Sequence, residues 1–422
     1  DELRDRARQI KDAALAQLGE HLETLEASIR RRGGHVHYAE DGDEACRLVL
    51  EIARACHARR IVKSKSMTSE EIHLNPALEA AGLEVVETDF GEYIIQVAGQ
   101  RPSHIVAPAL HLRLNDITKV LSGDAGRQLE ADPQKLAAYA RDRLRSAFAA
   151  ADIGITGVNF AVAETGSVVL VSNEGNIRLT TALPPVHIAI MGMEKVIPRL
   201  EDLPVFLNVL ARAATGQKLS IYTSIVSGPR AADELDGPEA FHLIVLDNGR
   251  SRILAGPLRE SLFCIRCGAC LNACPVYRSI GGHAYGGVYS GPIGAVLTPL
   301  YDGLAANRHL PHASSLCGAC QAACPVRIAI PELLISLREQ LHHEPGQKSR
   351  WESWAYRLWA AVIGRPRLYG WATWLATRTL GRLARRRWLR SLPGPLKGWT
   401  AARDFPAPAP RRFRDWWREE GT

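Results

Sequence analysis

The chain has 422 residues, 46% of them hydrophobic and 23% charged, the balance of a globular protein with room for two or three domains and a sizeable core. No stretch approaches the roughly 18 to 20 consecutive apolar residues of a membrane-spanning helix, and the acidic opening DELRDRARQIKDAALAQLGEHL is unlike a signal peptide. Neither a helical membrane protein nor an exported one is expected from these residues, and a cytoplasmic location is expected, with a peripheral place on the inner face of the membrane as its variant. The net charge of +7 is unevenly carried: from Pro345 onward 17 Lys and Arg stand against 5 Asp and Glu.

The first residue is Asp rather than Met, so further sequence is expected ahead of it. Helical periodicity runs to about Arg32 and again from Asp43 to Arg59, followed by the short apolar run RIVKSKS and a helix expected from Ser69 to Ala81. LEVVETD and GEYIIQVAG both read as strands by their β-branched and aromatic content. GITGVNFAVAETGSVVLVSNEG reads as strands broken by Gly and Asn turns, VHIAIMG as a buried strand and KLSIYTSIVSG as another. This alternation predicts an α/β domain with a largely parallel sheet over residues 1–250, with ligands bound in the polar loops after the strands. Residues 251–344 change to cysteine, glycine and short helices, and residues 345–422 form a basic segment holding all nine tryptophans, Trp351 to Trp417. That segment is helical in pattern with a break at Gly364 to Pro366, and its Pro-rich end FPAPAPRRFRDWW is expected to lack regular structure.

Seven of the nine cysteines fall within 61 residues, and the remaining two, Cys46 and Cys56, read as buried thiols on a helix face. Cys264, Cys267, Cys270 and Cys274-Pro275 have the spacing C-x2-C-x2-C-x3-C-P, in which three thiolates wrap one cubane and the fourth serves a second cluster. Gly268 and Gly318 supply the positive φ that loops hugging sulfur need. A structural zinc would favour paired C-x2-C knuckles with four ligands, which seven thiols in ferredoxin spacing do not match. Crossed ligation assigns Cys264, Cys267, Cys270 and Cys324 to a complete [4Fe–4S] site and Cys274, Cys317 and Cys320 to a second site with three thiolates. Its vacant corner falls at Ser314, so that site is [3Fe–4S], or [4Fe–4S] with a non-thiolate fourth ligand. Ser314 is the main candidate, and Ser315, His312, His309 and His283 lie nearby.

With these residues in place, CIRCGACLNACPVYRSIGGHAYGGVYSGPIGAVLTP and SSLCGACQAACPVRIAIPELL resemble the lactate-utilization protein B family. VKSKSMTSEEI, ETDFGEYIIQ, RPSHIVAPALH and AETGSVVLVSNEGNIRLTTALPPVHI are similar to its LUD domain, a relative of the CoA-transferase and ribose-phosphate isomerase fold. The resemblance implies an iron–sulfur subunit that passes electrons during oxidation of L-lactate to pyruvate. It also implies two partners: a cysteine-rich, heterodisulfide-reductase-like protein and a second LUD-domain protein.

Two further readings stand beside the electron carrier. In one, the LUD-like domain itself binds and oxidises the substrate, with Lys65, Glu164 and Thr165 as the leading group and Lys63, Asn173, Glu174, His104, His111 and His187 as further candidates for a carboxylate pocket. In the other, the chain is a redox-sensing scaffold. No G-x-G-x-x-G follows a strand, so the flavin or nicotinamide chemistry is expected in a partner. In the tail, Arg382, Arg385, Arg386, Arg387 and Arg390 with Trp371, Trp374 and Trp388 suit docking on a partner, or a membrane interface in second place. No nucleic-acid-binding module accompanies them.

Overall fold

Strands covered on both faces need apolar residues without alternation, and VHIAIMG and AFHLIVL, the two central strands of the computed structural model, have that pattern. The structure describes residues 1–343, 350–383, 387–392 and 394–421. Two helices open the chain, α1 (Glu2–Ala16) and α2 (Leu18–Arg31), and lead to β1 (His35–Ala39), α3 (Gly42–Ala55) and β2 (Arg60–Lys63). Next come α4 (Met67–Glu71), α5 (Leu74–Ala80), β3 (Glu84–Glu87), α6 (Phe90–Val97), α7 (Leu114–Ala125) and α8 (Pro133–Ala149). The strands β4 (Ile153–Gly157), β5 (Phe160–Val162) and β6 (Ser167–Ser172) precede α9 (Asn176–Ala182), β7 (Val186–Gly192) and β8 (Val196–Ile197). The α/β part closes with α10 (Leu203–Thr215), β9 (Tyr222–Val226) and β10 (Ala240–Leu246).

Six strands form a sheet in the order β1-β10-β7-β4-β2-β3, every pair parallel. A second sheet, β8-β5-β6-β9, is mainly antiparallel. One face of the large sheet packs Ile61, Ile155, Ile188 and Ile244 against Val49 of α3 and Leu78 of α5. The core on the other side includes Met191 and Val245, α1, α2, α10 and the small sheet, and continues without a gap into Cys267, Cys270, Cys274, Cys320 and Cys324. Accordingly Asp1–Leu341 is one compact unit and His342–Thr422 another.

Three expectations for the α/β part are corrected. GEYIIQVAG is not a strand but lies in α6: the Asp89 side chain accepts the amide of Glu92 at the N-terminus, and Tyr93 and Ile94 pack into a core with Leu121 of α7 and Leu144 of α8. The helix expected from Ser69 to Ala81 is split into α4 and α5 at His73, whose φ of 51° is left-handed. Cys46 is buried, but Cys56 ends α3 exposed to solvent. The central β10 and the edge strand β1 had no place among the expected elements.

Short helices carry the cysteines: α11 (Arg250–Leu254), α12 (Ala269–Ala273), α13 (Pro275–Ile280), α14 (Gly291–Tyr301), α15 (Ala319–Ala323) and α16 (Ile330–His343). The second unit holds α17 (Arg350–Ile363) and α18 (Pro366–Leu383), packed on each other, then the β11 (Trp388–Leu389) and β12 (Phe405–Pro406) ribbon and α19 (Phe413–Glu420). FRDWW is therefore helical, contrary to expectation: Arg411 pairs with Glu420, and Arg412 donates to Asp415 and to the carbonyl of Gly370 in α18 at 2.7 Å. Trp371 and Trp374 stack in α18, where Arg378 lies 4.3 Å over the ring of Trp374. Arg385 and Arg386 of the expected interfacial set lie outside the described residues. Among the described residues no helix is long and apolar enough to cross a membrane.

Candidate metal centre

The two cysteine runs fold as copies of one loop. Gly268 and Gly318 take φ of 77° and 81° to start α12 and α15, and Arg266 and Leu316, each two residues earlier, take 61° and 55°. In the first loop the Cys264 Sγ accepts the amide of Arg266 at 3.5 Å; in the second the Ser314 Oγ accepts the amide of Leu316 at 3.1 Å. Serine thus occupies the place of the first thiol and makes the same local bond. Each closing thiol also accepts an amide from the turn after it, though one residue apart in register: Cys274 Sγ accepts from Tyr277 N at 3.5 Å and Cys324 Sγ from Ile328 N at 3.3 Å.

Because α12 packs on α15, each closing cysteine is handed to the other loop. Cys324 lines a cavity with Cys264, Cys267 and Cys270, walled by Ile105, Ile293 and Ile328. Burial pushes the thiols of Cys267 and Cys270 up, with the neighbouring Cys264 adding to it, and pushes Cys324 up to about 11. Cys320, on the other side, is raised by burial and then by Cys274 and Cys317. This second set is wetter: Cys317 is exposed, and the amide of Ala319 pulls its thiol down. Among the described residues no three His, Cys, Asp or Glu side chains converge as one metal ion requires. Thiols set around a space fit a cluster of several atoms, whose ferric charge would hold them as thiolates against the cost of burial.

Cations surround the first set. Arg4 of α1 donates to the Cys324 carbonyl at 2.6 Å and to the Ala322 carbonyl at 2.7 Å, and Arg8 donates to the Arg327 carbonyl at 2.6 Å. Arg250, fully buried, grips Glu71 through two bonds of 2.9 Å and Glu194 through one of 2.7 Å. Burial opposes the charge of Glu194, yet Arg250 and Arg266 pull its carboxyl down to about 2.

A pocket of about 380 Å³ opens beside this set. Its walls come from the loops after four parallel strands: Ser64 to Met67 after β2, Asp89 after β3, Gly157 to Asn159 after β4 and Lys195 after β7. Ligand crevices of parallel sheets lie at such ends. Ile105, Arg266 and Cys267 line both this pocket and the thiol cavity.

Residues 22–246 match the LUD domain, residues 260–328 the 4Fe-4S dicluster domain, and residues 336–422 the C-terminal region of lactate utilisation protein B. Lactate utilization protein B of Geobacillus kaustophilus is 48% identical over 419 residues, covering 99% of this chain and 88% of that protein. The chain belongs to the lactate utilisation protein B family. The family proteins of Shouchella clausii and Bacillus pumilus are each 47% identical, again across 99% of this chain and 88% of theirs. A solved duf162 family protein from Deinococcus radiodurans covers 55% of this chain and 98% of its own at 16% identity, with a TM-score of 0.30 that is too low to carry an argument. The match at 260–328 makes the seven cysteines of this family member those of an iron–sulfur protein.

The leading trio of Lys65, Glu164 and Thr165 is not brought together. Lys65 lines the pocket, 3.9 Å from Glu92, whereas Glu164 accepts the amide of Leu200 and Thr165 donates to Ser167, both away from the pocket lining. Lys63 is consumed in the core by Glu87 at 2.7 Å and Glu70 at 3.2 Å. Asn173 and Glu174 line the pocket. Among the histidines, His187 is buried against Phe241 and bonds Thr156 at 2.9 Å, while His111 stacks edge-on with His283 at 4.5 Å. His104 accepts the amides of Val106 and Ala107 and sits against Gly268, where an added Cβ would meet its ring at 3.2 Å. His309, His312 and Ser315 are exposed. Lys195 and Asp89 were not among the residues expected from the sequence; the signal for Lys195 was a lysine in the MEK turn that follows the buried strand VHIAIMG.

Proposed function

We propose that this chain carries electrons in the oxidation of L-lactate to pyruvate, as a subunit that works with a cysteine-rich protein and a second LUD-domain protein. The observation that supports it most is the exchange of closing cysteines, with Cys324 beside Cys264, Cys267 and Cys270, and Cys274 beside Cys317 and Cys320. Two adjacent sites of that kind suit one-electron carriers that together take up the two electrons released per lactate. Bound there, the iron–sulfur clusters supply one-electron storage. The chain's own residues do the rest: Ile105, Ile293 and Ile328 keep water from the first site, and the cations Arg4, Arg8 and Arg266 offset its negative charge.

The second site has three thiolates, and the bond shared by Ser314 and Cys264 supports Ser314 as the occupant of its fourth corner. A hydroxyl donates less charge to iron than a thiolate, so a cluster held by Cys274, Cys317, Cys320 and Ser314 would be the one more open to losing an iron on oxidation. The parallel sheet with a small mixed sheet is in keeping with a CoA-transferase or ribose-phosphate isomerase kinship of the α/β part. The exposed Trp351, Trp354 and Trp371 with the surrounding arginines favour docking of the second unit on a partner.

The test is anaerobic protein with its iron counted and its EPR recorded. About eight irons per chain are expected for two cubanes. Cys274→Ser is expected to remove the signal of the second site and spare the first; loss of the first site's signal alone would overturn the exchange.

A further inference from the structure

We propose that the 380 Å³ pocket is a binding site for a small 2-hydroxy or 2-oxo carboxylate, anchored by Lys195 and held against the wall it shares with Cys267. The identity of the acid rests on the lactate-oxidation reading; the site itself rests on the geometry.

Lys195 is only 7% exposed and lines the pocket, yet among the described residues it makes no hydrogen bond or ion pair. Its neighbour Glu194 is not available to it, since one oxygen takes Arg250 at 2.7 Å and the other faces Arg266 at 3.4 Å. A buried ammonium without a partner is costly, and here a second cation, Arg266, lines the same pocket. The Lys65 Nζ, at another wall, is likewise buried without a hydrogen bond, its nearest carboxylate oxygen being that of Glu92 at 3.9 Å. The same lining carries the carboxylates Asp89 and Glu174, which face Lys65, but with Lys195 and Arg266 the cations outnumber them, and an anion beside Lys195 answers the excess.

Size and lining narrow the anion. A three-carbon acid has six heavy atoms and fills on the order of 100–150 Å³ when each atom takes somewhat less than a water's share of about 30 Å³. The pocket holds such an acid with water or a modestly longer chain, and it lies near the lower end of ligand-pocket volumes. Leu170, Ile177, Leu210 and Ala214 give an apolar side for a methyl or short alkyl group, while Ser172 and Asn176 give hydroxyl and amide groups for a 2-oxygen. Inorganic phosphate would leave that apolar side uncovered. Because Cys267 and Arg266 belong to both cavities, the bound acid lies next to the first thiol set, where an electron carrier is useful.

The full chain, reconstituted anaerobically, is titrated by calorimetry with L-lactate, pyruvate and inorganic phosphate while the EPR of both clusters is recorded. Lactate and pyruvate are expected to bind, to shift the signal of the cluster held by Cys264, Cys267, Cys270 and Cys324, and to resist competition by phosphate. Lys195→Met should weaken both acids at least tenfold at unchanged iron content, and Lys195→Arg should recover most of the loss. Should Lys195→Met lower the iron content, Ala214→Phe, which fills the pocket from α10, takes its place and should abolish binding with the iron retained. Absence of binding to the unaltered chain, affinity in Lys195→Met or in Ala214→Phe equal to that of the unaltered chain, or equally tight phosphate would each overturn the proposal. Failure of the electron-carrier reading looks different: iron absent or not reducible while the acids still bind.

Discussion

Glu174 shows how one side chain takes its character from its surroundings. At the pocket, loss of hydration and then the neighbouring Asp89 raise its carboxyl to about 7, against the pull of the Phe90 amide and of Lys65. A carboxyl raised on folding contributes stability that is full below its unfolded value and is lost as pH rises through about 7. The same titration places a second negative charge beside Asp89 above neutrality, so carboxylate binding is expected to weaken between pH 6 and 8, by roughly threefold to tenfold for a charge of this kind. Lys65, which faces both acids, tempers the change without removing it. Glu174→Gln should reduce the slope between pH 6 and 8 and leave the fall that Lys195, lowered to about 8 by burial and then by Arg266, adds at the upper end; calorimetric titrations at several pH values check it, and an unaltered slope near pH 7 in the variant would assign the effect to another group. The position was legible in SNEG as a candidate for the pocket, but its raised value was not, because Asp89 comes from a distant loop.

At the scale of elements, α1 acts as a strap on the cysteine loops. Its Arg4 supplies hydrogen bonds to the carbonyls of Cys324 and Ala322, and Arg327 reaches back to Asp5. Arg4→Ala removes donors from two carbonyls next to a thiol and is expected to cost about 1–3 kcal/mol. Iron held by Cys264, Cys267, Cys270 and Cys324 should then be lost to a chelator several times faster, with the other site unchanged; equal rates at both sites would show that α1 does not steady this loop. The helical periodicity of α1 was plain in DELRDRARQIKDAALA, whereas its target was invisible, since the residues that meet lie 320 positions apart. The reverse error occurred at GEYIIQV, where β-branched and aromatic content argued for a strand: the Asp89 cap and the core offered by α7 and α8 outweighed intrinsic preference.

For the whole molecule, the decisive feature is that the cysteine region has no core of its own. Cys267, Cys270 and Leu271 share a single buried cluster with Phe160, Met191 and Leu243 of the sheets. The second unit is compact by itself. A chain ending at His343 is therefore expected to keep full iron content and its melting transition, while losing co-purification with the partner subunits. Iron analysis, calorimetry and a pull-down check these three outcomes together. Retained co-purification would remove the docking role of the tail, and loss of iron would show that the first unit depends on the second.

The sequence by itself determined the chemistry that depends on short spacing. Thiols at fixed intervals, glycines where φ must be positive, and a serine in the place of a thiol are local facts, because a cluster is wrapped by a few consecutive residues. It also determined the alternation of helices and strands and the separate character of the tail, since periodicity and composition are carried along the chain. The spacing also gave the expectation that the closing thiols are exchanged; the tertiary structure supplied the means, the packing of α12 on α15 that brings Cys324 beside Cys264, Cys267 and Cys270. Only it could separate Lys65 from Glu164 and Thr165 and put Lys195 in their stead, since a pocket at the ends of β2, β3, β4 and β7 collects residues from four distant loops. Sheet order, which no local pattern encodes, sets that neighbourhood.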